Sequence, residues 1–164
     1  MFRQDLFRLP IFEGLSHQQL DQLTSRMELC QFNKDEGIFE QGQAARYLYI
    51  LVDGAVEVRF KPYDGPPLTV TSITPGGVFG WSASLGRDIY TSSAIATQDS
   101  EAYRMSSKTF HSLCDLDPDT GAVLLDRLAS VIGERMQDSH TKIINILSES
   151  MELNGDCLRR IGKE

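Results

Sequence analysis

Tyr47-Leu48-Tyr49-Ile50-Leu51-Val52-Asp53-Gly54-Ala55-Val56-Glu57-Val58 is the stretch whose reading decides the fold. Six apolar residues rich in β-branched and aromatic types are too few for a helix that buries itself and the right number for a strand covered on both faces. Asp53-Gly54 then turns the chain, and the next strand alternates apolar with polar. Working outward, turn formers recur every eight to twelve positions: Asn33-Lys34-Asp35-Glu36-Gly37, Gln41-Gly42, Asp64-Gly65-Pro66-Pro67 and Pro75-Gly76-Gly77. Between them the reading places strands at Ile38 to Glu40, Tyr47 to Val52, Ala55 to Lys61 and Leu68 to Ile73. Period-two patterning from Leu29 to about Met105 predicts an antiparallel sandwich or barrel.

Helical period flanks this segment on both sides. Phe2, Leu6 and Leu9 share a face before Pro10 ends the run. Ser16-His17-Gln18-Gln19 is a capping-box pattern opening a helix through Met27, with Leu15, Leu20 and Leu23 on its apolar side. Ser106 or Ser107 caps a short helix to about Leu116, and Asp117-Pro118 supplies an N-cap with proline at the first helical position. A long helix is then expected to Leu153, stopped at Asn154-Gly155. Along it Leu125, Ala129, Ile132, Met136, His140, Ile143, Leu147 and Met151 recur at steps of three or four, more apolar stripe than one small β-domain covers. The excess predicts a homodimer joined through this helix. The fold class expected is mainly-β α+β: a jelly-roll-like double-stranded β-helix with N-terminal helices over 1–116, the long helix of the same domain over 117–153, and a tail over 154–164.

Composition narrows the function. The 164 residues carry sixteen Lys and Arg against twenty-three Asp and Glu, a net charge of −7, so the chain by itself should not hold a phosphate backbone. The longest apolar run is far short of the roughly 20 residues that span a bilayer, and the N-terminus lacks a signal peptide's apolar stretch, so a cytoplasmic protein without membrane contact is expected. Cys30, Cys114 and Cys157 are odd in number and widely spaced, which fits neither a disulfide framework nor a zinc site. The histidines, His17, His111 and His140, all fall on predicted helices, whereas a metal-binding β-roll of the cupin kind holds its ion with histidines on strands. With no nucleophile elbow, phosphate loop or catalytic carboxylate pair, no enzyme is expected.

The order of elements and three motifs resemble the cyclic-nucleotide-binding domains of the catabolite-activator type over roughly residues 5–150. Phe7-Arg8-Leu9-Pro10-Ile11-Phe12-Glu13-Gly14-Leu15-Ser16 is similar to the family's helical entry. Ile38-Phe39-Glu40-Gln41-Gly42 followed by Leu48 to Val56 is similar to its strand, Gln-Gly turn, apolar strand and Gly turn. Pro75-Gly76-Gly77-Val78-Phe79-Gly80 resembles the lead into its phosphate-binding cassette. In such a cassette a glycine lets backbone approach the ligand, a short helix aims amides at the phosphate, a glutamate accepts from the ribose 2′-hydroxyl and an arginine neutralises the phosphate.

Here the cassette runs Gly80-Trp81-Ser82-Ala83-Ser84-Leu85-Gly86-Arg87-Asp88-Ile89-Tyr90-Thr91-Ser92. The glycine is present, but Trp81 stands where the resemblance implies the glutamate and Tyr90 where it implies the arginine, followed by Thr91 and Ser92. A charge-assisted hydrogen bond is worth about 1.5–3 kcal/mol and a buried phosphate partner about 2–5, so losing both turns a roughly micromolar site into a millimolar one. Binding of cyclic AMP in the family manner is therefore not expected. Arg87 either swings in as a substitute cation or is a solvated charge on a Gly-Arg-Asp turn, and Ser82 and Ser84 with their amides, around Ala83, could hold a small anion. Trp81 either stacks on a ligand or fills the pocket, and Tyr90 either donates to a ligand oxygen or packs at the roll's edge. The resemblance implies base contacts from the long helix near Ser139 and His140, which otherwise serve as a polar device across a dimer seam.

The reading that results is a dimeric, non-catalytic sensor or regulatory module, its ligand either a cyclic nucleotide held in an unusual way or another small anion. The alternatives are a ligand-free scaffold for protein partners and the sensor part of a transcription regulator. For the last, about ten residues beyond Leu153 are too few for a DNA-binding module, and Arg159, Arg160 and Lys163 make only a small basic tail.

Overall fold

The computed structural model describes the backbone of residues 8–161, and side chains through residue 138 together with 141 and 144. Four strands make one antiparallel sheet in the order β1 (Glu28–Phe32), β8 (Ser100–Ser106), β3 (Tyr47–Asp53), β6 (Val78–Phe79). The second sheet is β2 (Gly37–Phe39), β7 (Ser93–Ala96), β4 (Val56–Phe60), β5 (Leu68–Ile73). The eight antiparallel strands form the expected jelly-roll, and the four that the turns delimit lie within a residue or two of their expected bounds.

The continuous apolar run is explained by what lies on each side of β3. Tyr49 and Leu51 face the space between the sheets, in a core with Phe39, Val56, Phe79 and Ala102. Leu48 and Ile50 face the opposite way, onto Ile11, Phe12, Leu23, Leu124 and Leu128. A strand buried on both faces needs no alternation. Leu51 is wholly buried, and both sides of the domain pack on the same strand.

Local signals place the helices. In α1 (His17–Thr24) the Ser16 hydroxyl accepts from the Gln19 amide and the Gln19 side chain accepts from the Ser16 amide, the reciprocal box that the sequence spells. The helix ends at Thr24, and residues to Met27 continue as tighter i to i−3 turns. Ser106 is the cap of α2 (Ser107–Leu116), accepting from the Thr109 amide at 3.1 Å. Asp117 caps α3 (Pro118–Ile161), one carboxylate oxygen accepting from the Thr120 amide at 3.2 Å and the other from its hydroxyl at 2.6 Å.

These bonds hold the Asp117 carboxyl below the usual carboxylate range, the Thr120 hydroxyl contributing most. A depressed folded-state pKa means stability present above the unfolded value of about 3.9 and lost as pH falls through the folded one. Asp117→Asn, which keeps a capping oxygen but no charge, is expected to flatten that acid limb below about pH 4, read from melting temperature against pH. An unchanged acid limb would remove the cap from the account.

Two expectations are corrected. Pro10 does not end a helix but opens a 3-10 turn, Pro10–Phe12, a first position that suits a residue without an amide hydrogen; Phe2 and Leu6 lie outside the described residues. The long helix passes through Asn154-Gly155 to Ile161, so the expected tail is largely helical. Asn and Gly cost a helix interior only about 0.7–1 kcal/mol relative to alanine and do not by themselves break it.

The chain divides into compact units at Val131, within α3. In the first unit, Leu124 and Leu128 point at β3 while Leu125 and Ala129 are exposed. In the second, Met136 is 69% exposed and Ile132 half-buried. Within the first unit, Leu125 and Ala129 of the sequence-read stripe are thus on a different face from Leu124 and Leu128, which close the sandwich. Ile143 and Leu147 lie outside the described side chains.

Candidate functional site

The cassette begins where β6 ends. Gly80 follows Phe79, and a Cβ at this position would lie 2.9 Å from the Tyr47 carbonyl oxygen and 3.0 Å from the Tyr49 ring, so only glycine lets the chain pass β3 this closely. A single 3-10 turn, Trp81–Ala83, comes next. The amides of Ala83, Ser84 and Leu85 all donate back within the turn, to Gly80, Trp81 and Trp81. Ser82, Ala83 and Ser84 are buried, and Trp81 is half-buried.

The second half of the cassette is stitched to the Gln41–Ala45 segment. Tyr90 donates its amide to Gln43 at 2.9 Å and accepts from the Gly42 amide at 2.8 Å, and the Ala45 amide donates to Asp88 at 2.9 Å. Ser93, opening β7, accepts from the Gln41 amide at 2.9 Å. Between these clamps, Leu85 to Ile89 are exposed, Arg87 among them, and so is Thr91; Ser92 is half-buried. Arg87 and the buried serines are therefore on opposite sides of the turn's surface.

Tyr90 goes inward. It is 3% exposed, its ring stacks on Phe39 with centroids 3.9 Å apart, and Phe39 and Phe79 in turn stack on Tyr49 at 5.8 and 5.1 Å. Its hydroxyl donates to the Tyr47 carbonyl at 2.7 Å and accepts from the Tyr47 amide at 2.9 Å. Burial pushes the phenol of Tyr90 up, partly offset by these hydrogen bonds, and burial with the neighbouring Tyr90 pushes that of Tyr49 up further. Both remain neutral at any ordinary pH. The ring packed between the sheets is therefore that of Tyr90, while Trp81 is half-buried.

Beside Tyr90 the sandwich opens into a cleft of about 360 Å³ that the sequence reading missed. Phe39, Tyr47, Tyr49 and Tyr90 present rings to it, with Arg46 and Arg104 at its edges. The Arg104 guanidinium lies over the Tyr47 ring, 4.4 Å from its centroid, and pairs with Glu28 at 2.8 Å, which holds its pKa above the ordinary value. Nothing in the spacing of Arg46 and Arg104 announces that they meet.

The remaining candidates stay apart from this site or outside the described residues. Ser139 and His140 lie outside the residues whose side chains are described. His17 and His111 are on α1 and α2, as expected. Cys30 and Cys114 are half-buried free thiols whose pKa values burial raises; Cys157 lies outside the described side chains. Among the described residues no helix is long and apolar enough to cross a membrane.

Comparison with known proteins gives this geometry a family. Cyclic AMP receptor protein of Thermus thermophilus is 23% identical over 134 residues, covering 82% of this chain and 60% of the relative. The chain spans about three fifths of the length of the curated relatives it first matches. A cyclic nucleotide-binding domain from Methylobacillus flagellatus superposes with a TM-score of 0.80 at 18% identity, over 87% of this chain and 83% of that one. The regulatory subunit of a cAMP-independent protein kinase A from Trypanosoma cruzi, bound to guanosine, superposes with a TM-score of 0.69 at 22% identity, over 91% of this chain and 50% of that one. The family model for the cyclic nucleotide-binding domain matches residues 29–117, more than half of the sequence and the whole of the sandwich from the second residue of β1 onward, and the chain belongs to that family.

Proposed function

We propose that this chain is a non-catalytic regulatory module whose cassette does not take a cyclic phosphate in the family manner, and that it works as a homodimer joined through α3. One observation carries the first part: Tyr90, which the resemblance sets at the arginine's position, is buried with both bonds of its hydroxyl committed to the Tyr47 backbone. A phosphate there would meet a neutral phenol and a turn in which the Ala83, Ser84 and Leu85 amides are already bonded, with no opposite charge to offset desolvation. That a related fold from Trypanosoma cruzi is bound to guanosine, a nucleoside without phosphate, supports a module that reads something other than cyclic AMP. The names of the curated relatives, receptor and transcriptional regulator, support regulation over catalysis.

The deciding experiment is thermal unfolding with cyclic AMP or cyclic GMP at about 1 mM. A 10 μM site would be about a hundredfold saturated, adding about 2.7 kcal/mol and raising Tm by roughly 5–10 °C. No shift with either is expected, and a shift of that size with either one overturns the cassette reading.

The dimer rests on the exposed Leu125 and Ala129, which the sandwich does not use, and on the exposed Met136 further along α3. Met136→Glu places a charge at a position 69% exposed in the single chain, so the monomer's own packing is spared. Sedimentation is expected to show the native chain at twice the monomer mass and the variant at the monomer mass. A native chain that sediments as a monomer at about 100 μM, well above the micromolar affinities of specific interfaces, removes the dimer.

A further inference from the structure

We infer that the cleft beside Tyr90 is a binding site in its own right, for a flat aromatic molecule carrying one anionic group. Its size, about 360 Å³, is within the range of small-molecule sites. Its lining includes the rings of Phe39, Tyr47, Tyr49 and Tyr90, an aromatic floor against which a planar apolar body packs. Its polar groups are mostly donors. Arg46 forms no ion pair among the described residues, and its side chain borders the cleft at an exposed rim. Its backbone is fixed, the carbonyl accepting from the Ser107 amide at 2.9 Å where α2 begins.

Arg104 supplies a second guanidinium, oriented and partly compensated by its ion pair with Glu28. Nε and one Nη both bond the same Glu28 oxygen, at 2.9 and 2.8 Å, and the group lies over Tyr47, 4.4 Å from the ring centroid. Gln43 holds its side-chain oxygen on the Glu40 amide at 3.0 Å, which leaves its NH2 as the end that can face a ligand. No acidic side chain lines the cleft. In a chain of net charge −7, a cleft edged by Arg46, which has no ion pair among the described residues, and by the Glu28-paired Arg104, with no carboxylate in its own lining, is locally less negative than the rest and favours an anion.

The site shares only Tyr90 with the cassette; Gly80 to Ser84 and Thr91 to Ser93 take no part in it. It thus goes beyond the proposed function and does not depend on it. An aromatic carboxylate and an aryl phosphate present the same chemistry, and the experiment separates them.

The probes are 1-naphthoate, 1-naphthyl phosphate and, as the uncharged control, 1-naphthalenemethanol, titrated by calorimetry and by amide NMR against the whole chain. At least one anion is expected to bind, shifting the Ile38 and Gln43 amides, and to bind about tenfold more tightly than the alcohol, the effect of one charge-assisted bond. The tighter of the two anions names the source. Arg46→Gln is expected to weaken that anion about tenfold without moving Tm in its absence, since Arg46 is exposed. Ala44→Trp, which fills the mouth and keeps both arginines, is expected to abolish binding.

No binding of either anion at about 5 mM, weaker than any specific small-molecule site, overturns the inference. So does equal binding of the alcohol, or binding indifferent to both substitutions. A cyclic AMP shift together with naphthoate binding would sink the cassette reading alone, and absence of naphthoate binding without a cyclic AMP shift would sink this one alone.

Discussion

Tyr90→Ala is expected to lower the melting temperature by roughly 10–20 °C. Removing a fully buried aromatic ring costs about 3–5 kcal/mol in lost transfer and residual cavity. The Tyr47 amide and carbonyl lose the Tyr90 hydroxyl at the same time, and a buried group left unsatisfied adds about 1–3 kcal/mol. In a domain of this size each kcal/mol is worth about 2–4 °C. Tyr90→Phe keeps the stack on Phe39 and removes only the hydroxyl, so it isolates the smaller part, a loss of about 1–3 kcal/mol. If Tyr90→Ala melts within about 2 °C of the native chain, the ring is not a wall of the sandwich, and both the closed cassette and the neighbouring cleft lose their common residue. The prediction therefore tests the element on which the functional reading turns.

Gly54→Ala is expected to cost about 3 kcal/mol or more, a fall of roughly 6–12 °C. The Asp53-Gly54 turn has φ of +89° at the glycine, a region that an L side chain enters only at a cost of about 1–2 kcal/mol. The larger part is contact. A Cβ here would lie 2.7 Å from the Ser100 Cα, and that backbone cannot move, because the Ser100 hydroxyl accepts from the Ala55 amide at 3.2 Å and donates within the same corner. Gly42 separates the two effects: its φ is +84°, nothing stands within 4 Å, and Gly42→Ala should cost only the conformational part. Equal losses at the two positions would show that the β3–β4 corner tolerates the extra carbon and that contact plays no part.

The fate of the apolar stripe on α3 follows the same logic of who covers what. Leu124 and Leu128, four residues apart, serve the sandwich, whereas Leu125 and Ala129, one residue further round, do not. A helix buries about one third of its surface against a sheet, so an apolar set displaced by one position needs a second neighbour. The sequence shows that the surplus exists; which of the two sets meets the sheet is settled by packing.

What the sequence by itself determined are the features whose physics is complete within a few residues. The caps at Ser16, Ser106 and Asp117 are bonds to residues three positions on, so they are written where they act. The Asp53-Gly54 corner and the doubly buried run before it need only turn chemistry and hydrophobicity. The residue identities of the cassette, Gly80 to Ser92, are likewise legible in the sequence. Tertiary structure alone decided which aromatic fills the space between the sheets and which charges share a cleft. Tyr90 reaches Tyr47 across 43 positions and Arg104 reaches Glu28 across 76, and both contacts depend on strand register and on which face a side chain takes. A one-residue slip in register turns a side chain from the interior to the solvent without changing a letter of the sequence. That is why the sequence leaves Trp81 and Tyr90 both open and only the fold makes Tyr90 the ring packed between the sheets.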